Sequence, residues 1–139
     1  MTWTIEETRD LVICHDLRRV VFIDEQNVPA EEEVDGLDDT AVHLLAQVNG
    51  QPVGTARIVV QNDNAKIGRV CVLKNQRGTG LGAALVDAAV GAAKSRNAKQ
   101  ALLGAQLHAL GFYEQLGFEA FGPIFDDAGI DHRMMRKGL

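Results

Sequence analysis

The chain has 139 residues, enough for one domain around a single core. Its formal charge of −5, with Lys and Arg scattered, excludes a nucleic-acid binder, because phosphate backbones are held by clustered cations. Its apolar fraction of 46% is ordinary, and no apolar run approaches the roughly 20 residues of a membrane span, so a membrane partner is excluded too.

The N-terminus, Met1 to Glu7, has no signal-peptide pattern. Cys14 and Cys71 lie in apolar patterns and have no metal-ligand spacing. They read as buried thiols in a reducing, cytoplasmic protein without a metal.

Trp3–Thr8 alternates weakly and predicts a first strand. Asp10 can cap a helix whose apolar stripe is Leu11, Cys14, Leu17, Val21 and Phe22. That helix should stop near Glu25, because Val28-Pro29 disfavours continuation. From Asp24 to Asp39 the chain carries eight acids and no Lys or Arg. Such a run is either a solvated loop or short helix, or a mouth that attracts a cationic amine and supplies a carboxylate base.

Ala41–Val48, the turn Asn49-Gly50, Pro52–Val60, the turn Gln61–Ala65 and Ile67–Leu73 predict a three-stranded antiparallel meander. The loop Gln76-Arg77-Gly78-Thr79-Gly80-Leu81-Gly82 follows. Leu81, Leu85, Ala88, Ala89 and Ala92 then recur at helical spacing, with Lys94 and Arg96 at the helix end. Lys99–Gly104 reads as a buried strand, parallel to Ile67–Leu73 through a right-handed crossover. Leu107–Leu116 predicts a short helix, Gly117–Phe121 the start of a further strand and Ile130–Lys137 the last one.

The glycine loop therefore sits between a strand and a helix start. Helix-initial N–H groups lack intrahelical partners and carry the positive end of the macrodipole. Glycines let an anion approach the backbone closely, and Arg77 adds a planar fork suited to phosphate. The first acid of this helix is Asp87, so its first turn is open to an external anion. A Walker loop is excluded, because Ala83 and Ala84 follow Gly82. A dinucleotide fingerprint lacks its third glycine, and the meander before the loop and the short chain also disfavour a nicotinamide fold.

Arg77-x-x-Gly80-x-Gly82 resembles the pyrophosphate loop of the GNAT superfamily of acyl-CoA-dependent N-acyltransferases. Gln106 to Phe118 resembles that superfamily's N-x-x-A-x-x-F-Y-x-x-x-G-F segment, with Gln106 in place of Asn. Phe22–Pro29 with Glu31, Glu33, Asp35, Asp38 and His43, and Gly129-Ile130-Asp131-His132, resemble small bacterial members. The resemblance covers nearly the whole chain and implies one GNAT domain over residues 1–139. The implied fold is α/β, with an antiparallel N-terminal meander, a central parallel strand pair splayed around the cofactor, and helices on both faces.

It also implies acetyl-CoA as co-substrate and transfer of its acetyl group to a small-molecule or protein amine through a tetrahedral intermediate. Backbone at Val70, Cys71 and Val72 would hold the pantetheine arm. Arg77, Gly78, Thr79, Gly80, Leu81 and Gly82 would hold the pyrophosphate, with Gln106 and Tyr113 beside the cofactor. Tyr113 is the expected acid for the leaving thiolate. Glu25, Glu33, Asp35, His43 and His132 are the expected pool of bases, with Glu25 and His132 foremost. Phe22, Gln26, Glu33, Asp35 and His43 fall where the acceptor is expected. A homodimer is compatible with such a domain. The competing readings are a non-catalytic acyl-CoA-binding sensor and the disfavoured nicotinamide fold.

Overall fold

The computed structural model describes residues 2–139. Strand β1 (Trp3–Thr8) leads into α1 (Leu11–Arg18), which continues as a π-helical segment over Arg19–Glu25. The Asp10 carboxylate accepts from the Ile13 N–H at 3.2 Å and caps α1 as its sequence predicts. A four-residue α2 (Ala30–Glu33) lies inside the acidic run. The meander follows as β2 (Val42–Val48), β3 (Gln51–Gln61) and β4 (Asn64–Val72). Then come α3 (Leu81–Ser95), β5 (Gln100–Gln106), α4 (Leu110–Gln115), β6 (Glu119–Asp127) and β7 (Ile130–Gly138).

The seven strands form one mixed sheet in the order β1-β2-β3-β4-β5-β7-β6. The meander is antiparallel, and β4 and β5 are parallel. The last hairpin folds back so that β7 lies between β5 and β6. The fold class is therefore the α/β arrangement anticipated above.

Alternation along β2 sorts the helices onto two faces. Leu44 and Ala46 point into the larger core with Ile58, Ile67 and the α3 residues Leu85, Val86 and Ala89. Leu45 points the other way, into a smaller cluster with Leu17, Val21 and Cys71. Helix α4 joins α3's face through Leu110, Tyr113 and Leu116. Gly54 makes the close approach of α3 possible. A Cβ there would stand 2.9 Å from Leu85 Cδ1 and 3.0 Å from the Cys71 carbonyl oxygen.

Two departures from the predicted elements shape the cleft. The helix predicted to reach Glu25 does so, but its last seven residues widen into π-helix, with the Gln26 N–H donating to the Val21 carbonyl at 3.1 Å. In β4, Arg69 is left-handed (φ +52°), and pairing with β3 jumps from Thr55↔Cys71 to Arg57↔Gly68. This is a β-bulge, which bends the strand and re-aims its side chains.

Candidate active site

Strands β4 and β5 pair only from Asn64↔Gln100 to Lys66↔Leu102. Beyond Lys66 the bulged β4 turns away, and the two strands part. The gap opens into a cleft of about 730 Å³, walled by Ile67–Val70 of β4 and Leu102–Gln106 of β5. Backbone N–H and C=O groups released by the splay are unpaired hydrogen-bonding edges inside a concave site.

Several anticipated residues converge on this cleft. Phe22, Gln26, Glu33, Asp35, Val70, Gln106, Tyr113 and His132 all line it. Tyr113 packs edge-on to Phe112 and Phe118, with ring centroids 5.0 and 6.0 Å away. Burial pushes its phenol above the ordinary value, so the hydroxyl keeps its proton at neutral pH. His132 is buried, with Nδ1 2.7 Å from the Ile130 carbonyl oxygen. A carbonyl only accepts, so Nδ1 carries the proton and Nε2 of the neutral ring remains an acceptor. Gln106 donates from Nε2 to Gln26 Oε1 at 3.2 Å, which ties the end of β5 to the segment after the π-helix.

A second hollow of about 330 Å³ adjoins the glycine loop, lined by Val72, Arg77, Gly78, Gly80, Gly82, Ala83 and Phe112. Gly78 and Gly80 are left-handed, at φ +79° and +91°, which side-chain-bearing residues rarely adopt. Gly80 is the N-cap of α3 and supplies no side-chain cap, and the first turn holds no acid. The first helical bond runs from the Ala84 N–H to the Gly80 carbonyl at 3.1 Å, so the earlier N–H groups of Gly82 and Ala83 are not spent on it.

The cleft's other end is a packed cluster of charges. Arg18, only 1% exposed, donates through Nε to Glu33 and through Nη1 to Asp38 at 2.9 Å. Arg57 forks onto both Asp35 oxygens at 2.8 Å and reaches Asp38 at 3.2 Å. Arg69 donates to the Glu33 carbonyl at 3.0 Å and to Asp35 at 3.3 Å. The Arg57 guanidinium is the chief cause that holds the Asp35 carboxyl at about 2, and Asp38 is also well below the usual range.

This geometry corrects four expectations. The acidic run is only partly an open mouth: Glu33, Asp35 and Asp38 are matched by three arginines from outside it, while Glu31 and Glu32 stay exposed and Glu32 lines the cleft. Glu25 does not line the cleft, and both of its oxygens accept from Arg77, at 2.6 and 2.9 Å, so it is no free base. Arg77 is correspondingly not a free phosphate fork, and its Nε is spent on the Val72 carbonyl at 3.0 Å. His43 is buried outside the cleft, with Nε2 2.9 Å from the Asp38 carbonyl oxygen, and serves the loop rather than an acceptor. The Cys71 side chain is buried, and desolvation pushes its thiol up to about 12, so only its backbone is available to a ligand. Among the described residues no cluster of His, Cys, Asp and Glu suits a metal ion, and no helix is long and apolar enough to cross a membrane.

Sequence reasoning missed Arg18, Arg57 and Arg69 as parts of the site. One signal was present: Gly68 interrupts a strand, which often marks a bulge.

A family model of the acetyltransferase (GNAT) domain matches residues 17–139. The chain is 38% identical over 122 residues to the uncharacterized N-acetyltransferase YjcF of Bacillus subtilis (strain 168), covering 87% of each chain. It superposes on the crystal structure of an acyl-CoA N-acyltransferase from Pseudomonas aeruginosa with a TM-score of 0.86, 32% identity and 99% coverage of both chains. The fold is shared too with a GNAT family acetyltransferase from Elizabethkingia anophelis with acetyl-CoA bound, at a TM-score of 0.79, 18% identity and coverage of 99% and 98%. The fold that carries the splayed strand pair and the open helix start is thus one found in acyltransferases, and the chain belongs to the GNAT acetyltransferase family.

Proposed function

We propose that this cytoplasmic acetyltransferase moves the acetyl group of acetyl-CoA directly onto a primary amine, carried by a small molecule or a protein. The observation that carries the reading is the placement of two hollows along β4. Val72 lines the one at the open N-terminus of α3, and Val70, two residues earlier, lines the cleft between β4 and β5. A pantetheine arm has amide groups that can pair with a released strand edge, and its pyrophosphate suits the backbone N–H groups at Gly78–Gly82.

The thioester carbonyl then lies near the Val70–Cys71 backbone, where an N–H can stabilise the developing oxyanion. The amine nitrogen attacks that carbonyl carbon, and the carbon–sulfur bond breaks. The leaving thiolate takes its proton from the Tyr113 hydroxyl. The proton lost by the amine passes to His132 Nε2, directly or through water. His132 is favoured over Glu25 because it lines the cleft, whereas Glu25 lies outside it with both oxygens accepting from Arg77.

Release of free CoA thiol across a panel of amines tests the reading. Tyr113→Phe should lower kcat by about 10²–10⁴-fold with little change in acetyl-CoA affinity, the usual worth of a general acid. Tight acetyl-CoA binding without turnover on any amine would make the chain an acyl-CoA-binding sensor instead.

A further inference from the structure

Glu25 and Arg77 lie 52 positions apart and meet at the rim of the cofactor groove. Their pairing engages all three guanidinium nitrogens through three of its five N–H groups. Nη1 and Nη2 each donate to one Glu25 oxygen, at 2.6 and 2.9 Å, and Nε donates to the Val72 carbonyl at 3.0 Å. Arg77 therefore joins three elements: the end of the π-helical segment, the end of β4 and the start of the glycine loop. The next residue, Gln26, ties the same segment to Gln106 across the cleft.

A phosphate placed on the Arg77 fork would have to displace both Glu25 bonds and then sit beside the freed carboxylate. The Gly82 and Ala83 amides have no such rival. Gly78, Gly80 and Gly82 face the hollow and the N-cap Gly80 has no side chain, while the Thr79 hydroxyl donates to the Gln76 carbonyl at 2.7 Å and accepts from the Leu81 N–H at 3.4 Å. Arg77 fixes where that backbone begins, and Glu25 fixes Arg77.

We propose that Glu25 is the positioning residue of the cofactor loop: it locks Arg77 as an internal brace, so that loop backbone rather than the Arg77 guanidinium receives the pyrophosphate. The proposal rests on the acyl-CoA reading for the identity of the anion, and on the observed contacts alone for the brace. It turns a residue expected to act on the acceptor into one that acts on the cofactor.

The test uses the full chain as wild type, Glu25→Gln, Arg77→Gln, Arg77→Lys and the double Glu25→Gln/Arg77→Gln variant. Calorimetric titration with CoA should show each single variant weakened by about 3–20-fold, the usual range for a broken contact pair. The double variant should be no weaker than the worse single one. Arg77→Lys should fall with Arg77→Gln, because it keeps the charge but loses the fork. The KM for acetyl-CoA should rise while the KM for the amine stays unchanged. Tighter CoA binding by Glu25→Gln would overturn the proposal, since it would mean that Glu25 competes with the phosphates for Arg77. Hydrogen exchange in the free protein at the amides of Gln76, Arg77 and Ala84, which donate to the Leu73, Lys74 and Gly80 carbonyls around the loop, is the second readout. Faster exchange in every single variant supports the brace, even if wild type binds no CoA and the acyl-CoA reading falls. Unchanged exchange overturns the brace whatever the cofactor proves to be.

Discussion

The two faces of the sheet are held by different forces. Beneath α3 the core is apolar, with Leu85, Val86 and Ala89 set against Ile58 and Ile67. Beneath α1 a small apolar cluster gives way to Arg18 and Arg57, buried with Glu33 and paired to the half-buried Asp38. Apolar packing is non-directional and accepts many arrangements of similar volume. Charge-assisted hydrogen bonds fix direction and distance. The α3 face thus supplies cohesion. The α1 face fixes where the acidic segment and the bulged β4 stand, and so shapes the charged end of the cleft.

The comparison breaks most sharply at Arg18. Replacing it with Ala removes the hydrogen-bonded cation of Glu33, 6% exposed, leaving only the Arg69 guanidinium at 3.6 Å, and takes one of Asp38's cations. Stranding a buried charge costs about 3–5 kcal/mol. Urea denaturation should show that loss, with the acceptor KM rising in whatever fraction still folds. A loss below about 1 kcal/mol would mean that water already satisfies these carboxylates and that the face is not held as described.

On the opposite face the corresponding test is Gly54→Ala. The added methyl meets Leu85 Cδ1 at 2.9 Å and a backbone oxygen at 3.0 Å. The leucine can rotate, but the Cys71 carbonyl cannot move without disturbing β4. Overpacking of this kind costs about 1–3 kcal/mol. The denaturation midpoint should fall by less than for Arg18→Ala. The shift should also be insensitive to salt, because no charge is involved. A salt-dependent change would show that the two faces are not independent.

The same contrast explains what could be read from the sequence. Apolar periodicity is local, so the spacing within Leu81–Ala92 and the alternation of the meander are enough to mark α3 and β2–β4. The glycine loop was legible for a related reason: left-handed Gly78 and Gly80 are a backbone demand that leaves a residue-level mark. Charge pairing leaves no such mark. Asp35 finds Arg57 and Arg69 across 22 and 34 positions, and Glu25 finds Arg77 across 52. A stretch with eight acids and no Lys or Arg therefore looked like an open mouth, when the cations that match part of it come from α1, β3 and β4. The π-helical turn over Arg19–Glu25 and the left-handed Arg69 were hidden too, since a π-turn has no residue signature and an arginine gives no sign of the uncommon backbone it is held in. Tyr113 and His132 were legible as candidates, but the free Nε2 of His132 was not, because it follows from a carbonyl two residues away.

The smallest expected effect is the one that best separates the faces. Asp35 has its carboxyl lowered from the usual 3.8 to about 2, chiefly by the hydrogen bonds of Arg57. A carboxyl lowered on folding contributes stability that is fully present above its unfolded value and is lost as pH falls through its folded value. The window for Asp35 is therefore roughly pH 4 down to 2, with stability decreasing as the pH drops. The contribution is modest, because the side chain is 30% exposed and solvent screens the pair. Other carboxylates titrate in the same window, so the informative quantity is a difference. Urea midpoints measured from pH 6 to pH 2.5 should fall less steeply for Asp35→Asn than for wild type, while Gly54→Ala should run parallel to wild type at a lower level. Parallel curves for Asp35→Asn as well would remove Asp35 from the set of carboxylates that hold the α1 face, and would leave Glu33 and Asp38 to hold the charged end of the cleft without it.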